Sequence, residues 1–378
     1  MKTWDVIIIG GGIIGLSLSV KLRKKGASVL VVERGEAGRE ASYAAGGMLV
    51  DCGVETPAAL QPLATASAHL YPAFAHELEM ESGFNVDLRD QGTILFLSSE
   101  HIRHPGLRAA ALYPPDLGEL EPAMVRLAPD QEFRLRERGF NPKQFSDHFS
   151  ATHPVFYLKE RSVDPRALAA AALQAAKRRG VDISSGDEVT AVNISNGCVA
   201  GVITKKTSFP AAKVVNCAGA WSGQIAPYAF PTRPVKGQML CLLSPSRGLL
   251  QHVIRSPEVY LIPRSDGRIV VGTTLEEVGF DKRTEVDTIQ RLHRGAIALV
   301  PELKNAKILE DWAGLRPGTP DALPILGATA TPGYYVATGH FRDGILLAPI
   351  TARVMAQVIG GKSPDYNLDA FSPARFSP

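Results

Sequence analysis

Two short, unbroken apolar runs dominate the first part of the chain: Val6-Ile7-Ile8-Ile9 and Val29-Leu30-Val31-Val32. Runs of this length with no polar alternation predict strands buried on both faces, as in a parallel sheet. Residues 16–25, lying between them, predict a helix. Apolar residues at helical spacing (Leu60, Leu63, Leu70, Phe74, Leu78) predict a helix over 57–80, which Pro62 and Pro72 are expected to kink or break. Residues 92–97 read as a strand and 117–125 as a short helical stretch, whereas 126–157 carry no legible period. Asp164-Pro165 suits a helix start, a capping acid followed by a first-turn proline, and that helix runs to about Arg179 and stops at Gly180. A strand over 188–193, a turn at Ser195-Asn196-Gly197 and a second strand predict a hairpin. Residues 213–222 read as a buried strand ending in small residues, where a backbone can lie against a nucleotide at Gly219. Residues 235–243, 258–264 and 267–274 read as antiparallel strands, 286–299 as a helix, 334–338 as a strand and 345–359 as a final helix.

The first strand ends in Gly10-Gly11-Gly12-Ile13-Ile14-Gly15, and a helix follows at once. Strand, Gly-x-Gly-x-x-Gly and helix in that order form the dinucleotide-binding fingerprint in its required context. Gly10 permits the tight turn, Gly12 lets backbone N–H groups approach a pyrophosphate at the helix N-terminus, and Gly15 allows close packing of helix on strand. The second strand ends in Glu33, 18 residues after Gly15, where an acid is expected to accept hydrogen bonds from a ribose. Residues 35–48 form a long stretch of small residues, and a loop of that length in a domain is usually functional.

Composition narrows the class. At 378 residues, 45% hydrophobic and 21% charged, the chain reads as a globular protein long enough for two domains. A net charge of +3 is too small and too scattered for a nucleic-acid partner, and the arginines at 134, 136 and 138 are interrupted by Glu137, so they read as a solvated face. The four cysteines show neither paired nor metal-binding spacing, which implies reduced thiols, a cytoplasmic setting and no metal. The apolar N-terminus is read as the fingerprint strand and not as a signal peptide, and no apolar run is long enough for a membrane span. The expected fold is α/β: a discontinuous nucleotide-binding domain (1–83, 159–223 and 312–378) with an inserted antiparallel-sheet substrate domain (84–158 and 224–311).

Several motifs resemble the FAD-dependent D-amino-acid oxidase family, and within it the bacterial glycine oxidases of thiamine biosynthesis. They are residues 6–15, Ala-Gly-Gly-Met-Leu (45–49), Val-Lys-Gly-Gln (235–238), Gly-Arg-Ile-Val-Val-Gly-Thr-Thr (267–274), Gly-Leu-Arg-Pro-Gly-Thr-Pro-Asp (314–321) and Thr-Gly-His-Phe-Arg-Asp-Gly-Ile-Leu-Leu-Ala-Pro (338–349). The resemblance covers nearly the whole chain. It implies noncovalent FAD across the fingerprint, with Ile13 and Ile14 at the pyrophosphate, Glu33 and Arg34 at the adenosine ribose, and Ala41 and Ser42 on the pyrophosphate side. Gly46, Gly47 and Met48 would approach the flavin, Val189 the adenine, and His340, Phe341, Arg342, Asp343, Gly344, Ile345 and Leu346 would wrap the isoalloxazine ring. Arg316 and Arg342 would bind a substrate carboxylate and Tyr260 would add a hydroxyl, with Met48 and Val50 beside the substrate. Relatives suggest a homotetramer. Three residues depart from the pattern: Val50 replaces a glycine, Glu258 a histidine and Asp343 an asparagine. The first two put a strict preference for glycine in question.

The residue types suit the implied chemistry. A guanidinium fixes a carboxylate through two parallel hydrogen bonds, which a lysine cannot do, and Arg316 sits in what reads as a Gly/Pro-rich turn. Arg342 precedes the last helix, whose positive N-terminus suits an anionic locus. No obligatory acid–base residue is visible. None is needed when a neutral amine gives up hydride directly, leaving an imine that hydrolyses while oxygen is reduced to hydrogen peroxide. The expected partners are a small amino acid and oxygen. The alternatives are a D-amino-acid oxidase or dehydrogenase with a bulkier substrate and a non-catalytic flavin-binding protein.

Overall fold

The computed structural model describes residues 2–51, 56–97, 124–126, 144–146 and 155–376. Its strands are β1 (Val6–Ile9), β2 (Val29–Glu33), β3 (Met48–Leu49), β4 (Thr93–Phe96), β5 (Met124–Arg126), β6 (Val155–Leu158), β7 (Arg161–Ser162), β8 (Asp182–Ser185), β9 (Val189–Ser195), β10 (Cys198–Thr204), β11 (Ser208–Pro210), β12 (Val214–Asn216), β13 (Arg233–Leu243), β14 (Val253–Arg255), β15 (Tyr260–Pro263), β16 (Arg268–Gly272), β17 (Lys307–Gly318), β18 (Ile325–Ala328) and β19 (Tyr334–Thr338). The α-helices among the described residues are α1 (Ile13–Lys24), α2 (Ala41–Ala44), α3 (Gln61–Ser82), α4 (Pro165–Arg178), α5 (Val286–Leu299) and α6 (Gly344–Ile359).

Two large sheets organise the molecule. The first is six-stranded, in the order β18-β19-β12-β1-β2-β8. All of its pairs are parallel except β18 with β19. Ile8 and Val31 face the core made with α1, α3, α4 and α6, while Ile7, Leu30 and Val214 face the small sheet β9–β11 through Val192 and Val202. Cover on both faces is why these strands carry no polar alternation. The fingerprint strand and the last strand of the chain thus share one sheet, as the sequence implies.

The second sheet has eight strands, in the order β17-β13-β16-β15-β14-β4-β6-β5. It is antiparallel as expected, except that β14 and β4 run parallel. One face carries Leu240, Leu242, Ile254 and Leu261 against Leu292, Ala296 and Leu299 of α5. The other face presents Met239, Val253, Ile262 and Val270 towards the first sheet. β17 pairs with β13 along its length, so residues 312–318 belong with this sheet and not with the nucleotide-binding segment that was expected to begin at 312. We propose that the domain boundary falls after Gly318.

Prolines account for two further differences from expectation. Pro62 lies in the first turn of α3, where a missing N–H costs nothing, and α3 runs on through Pro72. The Ala68 carbonyl, which Pro72 cannot bond, accepts from Arg161 Nη1 at 3.4 Å. The same device serves Pro349 inside α6: the Ile345 carbonyl accepts from the Tyr71 hydroxyl at 3.2 Å. Pro317 and the neighbouring glycines form no turn. They lie within β17, the outermost strand of its sheet, where a proline removes no ladder bond.

The strand expected over 213–222 stops at Asn216. The Asn216 side chain donates to the Ser222 carbonyl at 3.1 Å and accepts from Ala218 N at 3.1 Å, turning the chain into a 3₁₀ helix over Gly219–Gln224. The hairpin turn lies as expected, with Asn196 and Gly197 both left-handed (φ 51° and 76°). Asp164 caps α4, its Oδ1 accepting from Arg166 N at 2.9 Å and Ala167 N at 3.4 Å. In place of the helix expected over 117–125, residues 124–126 form a strand, while 117–123 and the arginines at 134–138 lie outside the described residues.

Candidate active site

A cavity of about 720 Å³ runs between the two sheets, within the size range of small-molecule and cofactor sites. One end is the glycine loop. Glu33, at the end of β2, is 7% exposed and holds that loop: its Oε2 accepts from Gly11 N at 2.7 Å and its Oε1 from Gly35 N at 2.8 Å. Ser42, from α2, accepts from Ile13 N at 2.9 Å. Gly12, Ile13 and Ile14 open the N-terminus of α1 to the cavity, and a helix N-terminus favours an anion. At this end the cavity is also lined by Val189, Gly219 and Trp221. The Arg34 guanidinium lies 3.6 Å above the Trp221 ring and is paired with Glu40 at 3.2 Å.

Gly12 tests whether the site suits the expected cofactor. Its φ of −72° is open to any residue. The closest heavy atom to an added Cβ is Ser42 Oγ at 3.4 Å. Neither backbone strain nor packing within the chain demands a glycine here, yet the position faces the cavity. Space kept clear beside helix N–H groups is what a bound pyrophosphate requires, so the residues fit FAD. Gly15, by contrast, packs: an added Cβ would lie 2.1 Å from the Gly10 carbonyl oxygen. Gly15 and Leu346 are the two expected cofactor residues that do not line the cavity. Leu346 is buried and its carbonyl accepts from Ser67 Oγ at 2.6 Å.

The other end lies over the second sheet. Arg316, on β17, stands opposite Val235 of β13. Its guanidinium folds across Gly237, where an added Cβ would meet Nη1 at 2.1 Å. It donates to Thr273 Oγ1 at 2.9 Å and to the Thr274 carbonyl at 3.2 Å. Burial pulls its acidity towards neutrality, the Tyr260 hydroxyl opposes this, and the Arg342 charge adds to it. Tyr260 is held as a neutral phenol mainly by burial, and its hydroxyl lies 3.8 Å from Met239 Sδ. Gly46, Gly47, Met48 and Val50 close the cavity from the loop side. Arg264 fixes that loop by donating to the Gly46 carbonyl at 2.6 Å and the Val163 carbonyl at 2.9 Å.

The segment from His340 to Ile345 lines the cavity at the start of α6, so a second helix N-terminus opens into it. The buried His340 ring is bonded to Thr351 Oγ1 at 3.1 Å and is pushed by burial down to about 3, so it stays neutral. Its side chain is a satisfied core histidine, which leaves its backbone to face the cavity. Asp343 is pushed up to about 6 by burial, against the pull of Arg342.

The Asp343 shift sets a sign for stability. A carboxyl whose folded pKa lies above its unfolded value of 3.8 opposes folding once ionised. The penalty is absent below pH 4, grows between 4 and 6, and is complete above 6. Two pKa units bound it at about 3 kcal/mol. Asp343→Asn is therefore expected to raise Tm by a few °C at pH 8 and by nothing at pH 4, read by thermal unfolding at both pH values. An equal gain at both would rule out ionisation as the cause.

Sequence reasoning missed Trp221, Glu40 and the Thr273–Thr274 anchor of Arg316. The anchor was legible in outline, because Gly-Thr-Thr closes one of the family-like motifs. It misjudged Glu258, which is exposed, bonded to Ser256 Oγ at 3.3 Å, and not part of the cavity wall. Buried Cys217 lies in an apolar setting that pushes its thiol well above the usual range. No group of side chains suited to a metal ion occurs among the described residues, and no described helix is long and apolar enough to cross a membrane.

Comparison with known proteins agrees with this geometry. The chain is 35% identical over 376 residues to the bifunctional protein ThiO/ThiG of Nostoc sp., an alignment covering 99% of this chain and 55% of that protein. It thus spans about half the length of the curated ThiO/ThiG relatives it matches. It is 30% identical over 386 residues to a glycine oxidase of Pseudomonas aeruginosa, with 98% of each chain covered. The crystal structure of glycine oxidase from Geobacillus kaustophilus matches with a TM-score of 0.90 at 29% identity, over 100% of both chains. Residues 5–358 match the DAO family, described as FAD dependent oxidoreductase, and the chain belongs to that family.

Proposed function

We propose that this chain oxidises glycine and other small amino acids at the α-carbon, with oxygen as the electron acceptor and an imine, hydrolysed to a 2-oxo acid, as the product. The observation that carries the reading is the pair Arg316 and Arg342, with Tyr260, in the cavity whose far end is the dinucleotide loop. The relatives named glycine oxidase support it. FAD, held by the glycine loop and the residues at the start of α6, would supply two-electron oxidising power, with oxygen as final acceptor and hydrogen peroxide as its product.

The chain's own residues do the rest. Arg316, already held by Thr273 and Thr274, meets the substrate carboxylate with fixed guanidinium N–H groups, so little side-chain freedom is lost on binding. The Tyr260 phenol donates to the same carboxylate. Arg342 and the N-terminus of α6 stabilise negative charge that develops at their end of the cavity. Met48 and Val50 limit the space for a substrate side chain. His340 is neutral and engaged by Thr351, so its imidazole does not take up the amine proton, and the substrate form proposed is the neutral amine.

The assigned sites are the cofactor and substrate residues described above. A role in supplying thiazole synthesis, a cytoplasmic location and a homotetrameric assembly complete the proposal. The test is the visible spectrum of the purified protein, followed by anaerobic addition of glycine, D-alanine and D-proline. Yellow protein that bleaches with glycine, recovers in air and releases peroxide is the expected result. Bleaching by bulkier D-amino acids alone would move the substrate, and protein that no amino acid bleaches would overturn the reading.

A further inference from the structure

The cavity wall contains an arginine, Arg255, that neither the cofactor assignment nor the proposed reaction uses. Registers across the second sheet set Leu95 of β4 beside Arg255 of β14, Arg255 opposite Tyr260 of β15, Tyr260 opposite Gly272 of β16 and Gly272 opposite Met239 of β13. Residues paired in this way project from the same face of a sheet. Leu95, Arg255, Tyr260 and Met239 all line the cavity. Arg255 therefore stands in the same row as Tyr260, on the side away from Arg316. The Arg316 guanidinium reaches Thr273, just past β16, and β14, which carries Arg255, lies two strand intervals, about 10 Å, from β16.

Leu95, Leu97, Pro257 and Val50 line the cavity with Arg255. Its side chain is 26% exposed, and among the described residues Nη1 donates to Glu160 Oε1 at 3.4 Å. Glu160 is nearly fully buried, and Thr93 also bonds its carboxylate. Among the described residues, Asp51 also acts electrostatically on Glu160. Glu160 thus holds the guanidinium from behind through one nitrogen, and a guanidinium has five N–H donors. Arg255 lines the cavity and carries N–H donors beyond the one given to Glu160, which an anion in the cavity would complete.

We propose that Arg255 is a second carboxylate-binding residue and that this chain selects small amino acids bearing a second acidic group, the α-carboxylate on Arg316 and the distal one on Arg255. The inference rests on the amino-acid oxidase reading. Strands two intervals apart, about 10 Å, leave room between the two side chains for two carboxylates one or two methylenes apart, each with charge-assisted hydrogen bonds of about 2.8 Å.

The test uses the FAD-loaded protein and ligands that cannot react. Succinate and butyrate, of equal chain length, are titrated while the flavin absorbance change is followed. Succinate is expected to bind at least tenfold more tightly. Arg255→Leu alone strands Glu160, so the working variant is Arg255→Leu with Glu160→Gln, which removes both charges together. In that variant the succinate-to-butyrate ratio collapses to within twofold, and Arg255→Lys recovers part of it. In parallel, kcat/KM for D-aspartate relative to D-alanine falls at least tenfold in the double variant. A ratio near one in the parent protein, or one that survives the double variant, overturns the inference. Glycine-driven bleaching without succinate discrimination would sink this inference and spare the oxidase reading. Succinate discrimination that depends on Arg255, with no bleaching by any amino acid, would retain the anion site and sink the oxidase reading.

Discussion

Arg316→Ala is expected to lower kcat/KM for glycine by about three orders of magnitude. Two charge-assisted hydrogen bonds to a carboxylate, each contributing about 2 kcal/mol, account for a loss of that size. The loss divides between KM and kcat, because Arg316 both binds the carboxylate and orients the α-carbon. Arg316→Lys keeps the charge but cannot reproduce the anchored fork: Nη1 bonds the Thr274 carbonyl and Nη2 the Thr273 hydroxyl. Lysine is therefore expected to recover no more than about tenfold. Steady-state peroxide release, measured with FAD content per chain, separates this from loss of cofactor. An alanine variant within threefold of the parent at full FAD content would remove Arg316 from the site. The same geometry makes Gly237 sensitive, since a methyl there meets the guanidinium itself.

What could be read from the sequence followed from where the chemistry is local. The fingerprint strand, its three glycines and Glu33 lie within 28 residues of one another, and their roles are set by backbone geometry that glycine and apolar runs announce. The carboxylate end was harder because a sheet brings it together. Arg316 looks like a turn residue, with Gly314, Pro317 and Gly318 around it, and only its pairing with β13 makes it a strand residue at a sheet edge. Thr273 carries only the outline given by its motif, and it matters because β16 ends beside β13; Trp221 has no local signal and matters because a 3₁₀ turn carries it under Arg34. Arg255 is similarly silent in sequence and becomes informative once its register with Tyr260 is known. The Glu258 error has the same origin. A residue two positions from Tyr260 looks close in sequence, but it lies before β15 begins, out in solvent.

Gly12 and Gly15, three residues apart in one motif, should fail differently, and the contrast bears on the cofactor itself. In Gly15→Ala, the new methyl would sit 2.1 Å from the Gly10 carbonyl oxygen and 3.1 Å from Ile8 Cγ2. The first of these is backbone, so α1 must move away from β1. The cost is overpacking of about 1–3 kcal/mol, and the N–H groups of Gly12, Ile13 and Ile14 move with the helix. Both Tm and FAD affinity are expected to fall, the affinity by at least about 100-fold, since 2.8 kcal/mol of misplaced phosphate contacts suffices. In Gly12→Ala the methyl meets no part of the chain closer than Ser42 Oγ at 3.4 Å, and the backbone is already in a region open to alanine. The chain without FAD should unfold at the parent temperature, yet FAD should bind at least about 100-fold more weakly because the methyl occupies its space. Gly26→Ala is the control for strain alone: φ is +88° and nothing lies within 4 Å of an added Cβ, so it should cost about 1–2 kcal/mol of stability and leave FAD affinity in place. Thermal unfolding without cofactor and a fluorescence titration with FAD read the three variants. If Gly12→Ala bound FAD as tightly as the parent, the pyrophosphate would not lie on this loop.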